Sequence, residues 1–479
     1  MTLRKKTLAG LLWAAASQGG KQLSQFVIAV ILARLLSPRD FGLMAMAMVF
    51  IDIFTIIGEL GISSALIQKQ DVTDIHYSSA FWLNIGTGAL LTMCFSISAP
   101  FIAAFYGRPE LRFILTLLSC NFLLSSLSLM QQTILMKELE FRKLAIRDII
   151  SVILSGLVGI YMAMSGLGVL SLVGQTLSFA LINAVLLWLV SRWRPKLVFS
   201  KAHMREIFVF SANLTGSYMA NVISRNIDKL LIGKFLGDQA LGIYSLAYKL
   251  MLYPLQNVSW VIGRVMFPAF SKIQDDMDKI RHVYMQVIRI VSLITFPMMA
   301  GLLVIAPEFV HLLFGSKWES AVVIIRIFCI CGMFQSISAT GGTVILSQNR
   351  ADLQFKLQIS GSVTMLFVII IGMQWGINGI AILYAFQSWL FLYGTFYTIG
   401  RIVDVSCRKL HLQLINSFVY SLAMTVVILA IRQVLELPDS FKLSIIILSG
   451  IVAYVLILIK AKEIAIENKK LILRAFSTY

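Results

Sequence analysis

Fourteen apolar runs, each long enough to cross a bilayer as a helix, leave little of the 479-residue chain for anything else. A hydrocarbon core takes about 20 apolar residues as a helix. A backbone crossing it must satisfy its own hydrogen bonds, which a helix does within one segment. Bounded by charges, proline or glycine, the runs fall near residues 8–33, 41–66, 79–105, 113–136, 145–164, 169–191, 207–235, 240–268, 285–306, 319–346, 356–374, 377–400, 412–433 and 442–460. An all-α integral membrane fold of about fourteen transmembrane helices is therefore expected. Hydrophobic residues make up 58% of the chain and charged ones 13%, against about 25% charged in a soluble domain. That excludes a soluble enzyme, a disordered chain and a nucleic-acid-binding domain. The first run follows Arg4, Lys5 and Lys6 and continues past signal-peptide length, so it is expected to stay as an anchor.

Lys and Arg number 41 against 23 Asp and Glu, a net charge of +18. If the N-terminus is inside, 26 of the bases fall on inner loops and the tail and only 8 on outer loops. That asymmetry is the positive-inside pattern and places both termini in the cytoplasm. The longest inner loops, near 192–206 and 271–284, are about 15 residues and hold no domain. No GxxxxGK[ST] loop or HExxH is present; Gly19-Gly20-Lys21 lacks the outer glycine, and all five His lie in or beside loops. The five Cys give no disulfide framework, and Cys329-x-Cys331 reads as a pair of small core residues. The expectation is transport with no catalytic residue, no metal and no cofactor.

Shifting the chain by 200 without gaps aligns Ala33–Ala47 with Gly233–Ala247, base on base at 34/234 and glycine on glycine at 42/242. Phe105-Tyr106-Gly107 is echoed by Leu313-Phe314-Gly315, and Gly166-Leu167-Gly168-Val169 by Gly376-Ile377-Asn378-Gly379-Ile380. The three echoes, in order, predict two six-helix halves, 1–200 and 201–405, with two helices and a basic tail appended over 406–479. An even number of spans per half makes the halves a parallel repeat, with a substrate site expected between them.

Ten charges are expected inside the spans: Lys21, Asp52, Glu59, Arg225, Asp228, Lys229, Lys249, Arg264, Arg289 and Arg326. At roughly 3 kcal/mol each when lipid-facing at mid-span, they must face one another or water. Gln18, Lys21, Gln22 and Gln25 form a polar stripe on the first span, and Asn213, Ser217, Asn221, Arg225 and Asp228 one on the seventh. Lys249, Tyr253, Gln256, Trp260 and Arg264 do so on the eighth, and Asp52, Thr55 and Glu59 on the second. Seven bases against three acids make a cavity collecting them cationic and suited to an anion. The expected substrate-binding residues are Lys21, Gln25, Arg225, Lys249, Arg264 and Arg326. Arg264, Arg289 and Arg326 lie near span ends, where snorkelling is the competing role. Asp228 pairs with Arg225 at i, i+3 or stands with Asp52 and Glu59. Those acids are counter-ions or proton- or sodium-coupling groups, and the sequence leaves both open.

Leu35-Leu36-Ser37-Pro38-Arg39-Asp40-Phe41-Gly42, the Phe-Tyr-Gly after the third span and the two six-span halves resemble the polysaccharide-exporter (Wzx-type) branch of the MOP flippase superfamily. The colanic-acid and teichuronic-acid exporter group is the nearest likeness. The resemblance implies the MOP flippase fold and a bacterial inner-membrane location. It implies that undecaprenyl-diphosphate-linked oligosaccharide units are flipped outward by alternating access for surface polysaccharide synthesis. A polysaccharide polymerase and a chain-length regulator are partners implied only in this way. Membrane lipids are the other partner and nucleic acid is not one. A lipid II flippase is the nearest rival, and a cation-coupled multidrug exporter a further one. The latter calls for an excess of acids, and the first span here carries Lys21 instead of an acid.

Overall fold

A computed structural model describes residues 3–59, 61–69, 71–434 and 439–461; the side chains of 3–18, 59, 202–203, 205–221, 223–225 and 439–440 lie outside the description. Among the described residues helices predominate and no strand is present. The helices are α1 (Leu3–Leu35), α2 (Pro38–Glu59), α3 (Ile62–Gln68), α4 (Asp74–Tyr106), α5 (Glu110–Lys137), α6 (Phe141–Met164) and α7 (Leu170–Val190). After them come α8 (Lys201–Pro254), α9 (Trp260–Lys272), α10 (Met277–Leu313) and α11 (Ala321–Ser347). The last are α12 (Ala351–Gly372), α13 (Gly376–Val403), α14 (Cys407–Val434) and α15 (Asp439–Lys460). Ten helical stretches among the described residues are long and apolar enough to cross a membrane, one of them, Ala351–Val403, holding both α12 and α13. The runs near 8–33, 207–235 and 240–268 lie on α1, α8 and α9, which are outside those ten. Gly237, at a positive φ of 87° with ψ −176°, breaks α8 between the latter two runs.

The chain divides into two compact units, Met1–Gly242 and Ile243–Tyr479. In the first, α4 and α5 pack along their length through small and hydroxyl residues, as helices without a hydrophobic drive between them do. Thr92 Oγ1 donates to Ser119 O at 3.0 Å, Ser96 and Ser119 share a 2.9 Å bond, and Phe54, Phe95 and Phe122 fill the adjoining space edge to face. Helix α1 seats against α6, where a Cβ on Gly156 would overlap the Ile28 side chain. The second unit uses the same devices. Ser292 and Ser417 join α10 to α14 at 2.7 Å, Thr295 and Ser336 join α10 to α11 at 2.9 Å, and Gly341 admits Thr395 and Ile399. Asp276 caps α10 by accepting Lys279 N–H at 3.0 Å, and the Lys279 side chain beside it holds its carboxyl below the usual carboxylate range.

The Ser37-Pro38-Arg39-Asp40 stretch is a helix start. The Asp40 carboxylate accepts the Ser37 N–H at 2.9 Å and its hydroxyl at 2.6 Å, while Pro38, which has no N–H to leave unsatisfied, opens α2. One turn on, Gly42 meets the chain at Asp238. A Cβ on Gly42 would overlap the Asp238 carbonyl, and a Cβ on Gly242 would overlap the Pro38 carbonyl. The two stretches that align at a shift of 200 thus touch each other reciprocally, main chain on main chain. At the second echo, Gly107 and Gly315 both end long helices with positive φ, 66° and 88°, where a side chain is strained.

Backbone cannot yield as a flexible side chain can. Gly42→Ala and Gly242→Ala are each expected to cost about 1–3 kcal/mol. Gly86→Ala, on α4 with nothing within 4 Å of its Cβ position, should be neutral or stabilising by up to about 1 kcal/mol. Thermal unfolding of the three purified variants beside wild type checks the contrast.

Candidate functional site

A carboxylate bridging two bases lies in the first unit, between α1 and α6. Lys21 Nζ is 3.2 Å from Asp148 Oδ2, with the two side chains 27% and 22% exposed. Arg147 Nη2 sits 2.5 Å from Asp148 Oδ1, and Arg147, itself 7% exposed, donates from Nη1 to Gln132 Oε1 at 3.0 Å. Arg147 and Asp148 fall inside the fifth run, 145–164, yet neither is among the ten charges expected inside the spans; both lie on α6, which starts at Phe141. The missed signal is the row Arg147, Ser151, Ser155 and Gly159 at steps of four, three of them polar and all buried.

A second polar group joins α2 to α8. Asn226 Nδ2 donates to Asp52 Oδ2 at 3.4 Å, and Lys229 Nζ donates to Asn226 Oδ1 at 3.0 Å. Asn226 is the link the sequence reading did not single out. Asp228 is buried and accepts the Lys229 N–H at 2.8 Å. Glu59 and Arg225 have side chains outside the described residues, and so does the expected Arg225–Asp228 pair. Gln25 on α1 is exposed.

In the second unit, Lys249 on α8 and Arg264 on α9 are exposed, and Arg326 on α11 is half-buried with Nε donating to Leu303 O at 3.3 Å. Of the expected site residues with described side chains, Asp52 is brought to Lys229 through Asn226, while Lys21 is brought to an acid outside the expected set.

Four further ion pairs, in two groups, were not anticipated. Asp238, 7% exposed, faces Arg108 Nε at 2.9 Å and Arg39 Nε at 3.4 Å, and Arg39 Nη2 also reaches Glu110 at 2.7 Å. These lie beside the Gly42–Asp238 contact and join the starts of α2 and α5 to the break in α8. Glu308 on α10 takes Arg432 of α14 at 2.6 Å. The ninth run was expected to end at residue 306, before Pro307, yet α10 continues through that proline to Leu313. Among the described residues, no cluster of three or more His, Cys, Asp or Glu side chains could hold a metal.

Residues 31–323 match the model of a family described as polysaccharide biosynthesis protein. The teichuronic acid biosynthesis protein TuaB of Bacillus subtilis is 30% identical over 470 residues, 96% of each chain. The lipopolysaccharide biosynthesis protein WzxC of Escherichia coli is 29% identical over 78% of this chain and 76% of its own. Among solved structures, the lipid II flippase MurJ in an inward closed conformation superposes with a TM-score of 0.76 at 17% identity, covering 95% of this chain and 99% of its own. An inward-facing MATE multidrug transporter of the MOP superfamily gives 0.65 at 15% identity, over 80% and 96%. The all-α MOP transporter fold is shared with both.

The Glu308–Arg432 pair ties helices together, and its loss should register as stability. Arg432→Gln is expected to cost about 2 kcal/mol, below the ~3–5 kcal/mol of a fully buried pair because Arg432 is 30% exposed. Glu308→Gln/Arg432→Gln should recover part of that in thermal unfolding.

Proposed function

The chain belongs to the polysaccharide biosynthesis protein family, and on that premise we propose that it flips undecaprenyl-diphosphate-linked oligosaccharide repeat units across the bacterial inner membrane. The observation that carries the reading is the set of basic residues within the apolar runs of a chain similar, over 96% of its length, to a teichuronic acid biosynthesis protein. Lys21, Arg225, Lys249, Arg264 and Arg326, with Gln25, hold the diphosphate or acidic sugars. Bases in a low-dielectric surrounding favour an anion far more than the same bases in water. Asp52, Glu59 and Asp228 serve as counter-ions or coupling groups. The chain acts as a carrier rather than a catalyst, with both termini cytoplasmic. Residues 1–200 and 201–405 form the repeated halves, 406–479 an appendage, and the site opens alternately to the two membrane faces.

An inside-negative potential drives this without ATP, because each negative charge moved outward gains about 2.3 kcal/mol per 100 mV. Removal of the product by a polymerase, with a chain-length regulator, pulls in the same direction.

Deletion in the native host, followed by analysis of lipid-linked intermediates, tests the proposal. Undecaprenyl-linked repeat units building up on the cytoplasmic leaflet, with loss of one surface polymer, is the expected result. Lethality with lipid II accumulation would instead assign a lipid II flippase, and intact polymer with altered drug sensitivity a multidrug exporter. A Lys21→Ala/Arg225→Ala/Lys249→Ala variant should reach the membrane and keep its thermal stability within about 1 kcal/mol, since Asp148 keeps Arg147 when Lys21 is lost. It should fail to restore polymer, and normal polymer from it would sink the site assignment.

A further inference from the structure

We infer that Asp148 is an internal stand-in for the substrate's phosphate, holding Lys21 in the empty carrier and giving it up when an anionic head group arrives. The inference rests on the function proposed above and adds a residue to its site. A carboxylate with one oxygen toward Lys21 and the other toward Arg147 presents two anionic oxygens to two bases, as a phosphate group does.

The two links are unequal. On the Arg147 side the guanidinium is buried and further held by Gln132. On the Lys21 side, at 3.2 Å, the base is 27% exposed against 7% for Arg147. The Lys21 edge is therefore the more open of the two, and an incoming anion meets it first. Displacement breaks one ion pair and leaves the other, so Asp148 does not become a lone charge in the membrane. Nor need the helices separate. Gly156 admits Ile28, and the Cβ position of Gly20, next to Lys21, lies 3.5 Å from Ile149, next to Asp148. The ammonium swings between two anions on a fixed frame.

A resident counter-ion weakens binding and in return speeds release, because the carboxylate re-forms its pair as the head group leaves. A carrier needs that balance, since a site that binds too tightly does not turn over.

Purified full-length protein and farnesyl diphosphate, a short isoprenoid diphosphate, with farnesol as the uncharged control, give the test. Removing the competing charge in Asp148→Asn should tighten farnesyl diphosphate binding roughly tenfold, the scale of one charge-assisted hydrogen bond. It should also lower polymer output in cells. Lys21→Gln should bind more weakly than wild type. If Lys21→Gln weakens binding and Asp148→Asn does not tighten it, the stand-in role falls while the proposed site stands. If neither variant changes binding, Lys21 is not an anion site and both fall.

Carbodiimide labelling of wild type, read by mass spectrometry, does not depend on the variants folding. Farnesyl diphosphate should raise labelling of Asp148 several-fold and farnesol should not. Unchanged or reduced labelling with the diphosphate overturns the displacement.

Discussion

Inside hydrocarbon a formal charge needs an opposite charge close by, and that requirement organises this protein. The answers come from other segments of the same packed unit: Asp148 for Lys21, Arg432 for Glu308, Arg108 and Arg39 for Asp238. Each pair also acts as a cross-brace, because meeting one charge with another fixes which helix faces which. The hydroxyl contacts do the same at lower cost, joining α4 to α5 and α10 to α11 and α14. Apolar contact alone would not give that selectivity, since lipid tails solvate leucine as well as a neighbouring helix does.

The charges differ in how far they are committed. Glu308 and Asp238 are nearly closed off from solvent and serve the scaffold. Lys21 and Asp148 keep part of their surface open, and Lys249 and Arg264 are exposed. Ion pairs that are both accessible and weakly coupled are the ones a charged cargo can rearrange. On the proposed reading, exposure more than residue identity separates the residues of the frame from those of the site.

The fold was largely legible because hydropathy counts what a bilayer admits. Runs bounded by charge or glycine fell on helices, and the glycines of the echoes proved to be points of close approach or positive φ. The site was less so. Asp148 stands in the first turn of the fifth run, 145–164, and was not counted among the charges inside the spans, whereas α6 starts at Phe141 and holds it within the helix. Glu308 was passed over because Pro307 read as a stop, whereas membrane helices tolerate proline where neighbours satisfy the freed carbonyl. No periodicity reports that Lys21 meets a residue 127 positions away, or Asp52 one at 174. Long-range pairing is decided by packing, and single-helix patterns carry no trace of it.

The seat between Gly42 and Gly242 has a consequence for how such a chain can change. Each glycine rests on a carbonyl next to the other's helix turn, so the contact consists of main-chain atoms alone. It forbids a side chain at two positions and is blind to the chemistry of every other. The surrounding residues can therefore be exchanged to suit a different cargo without retooling the joint, and a single methyl group at either position is enough to jam it.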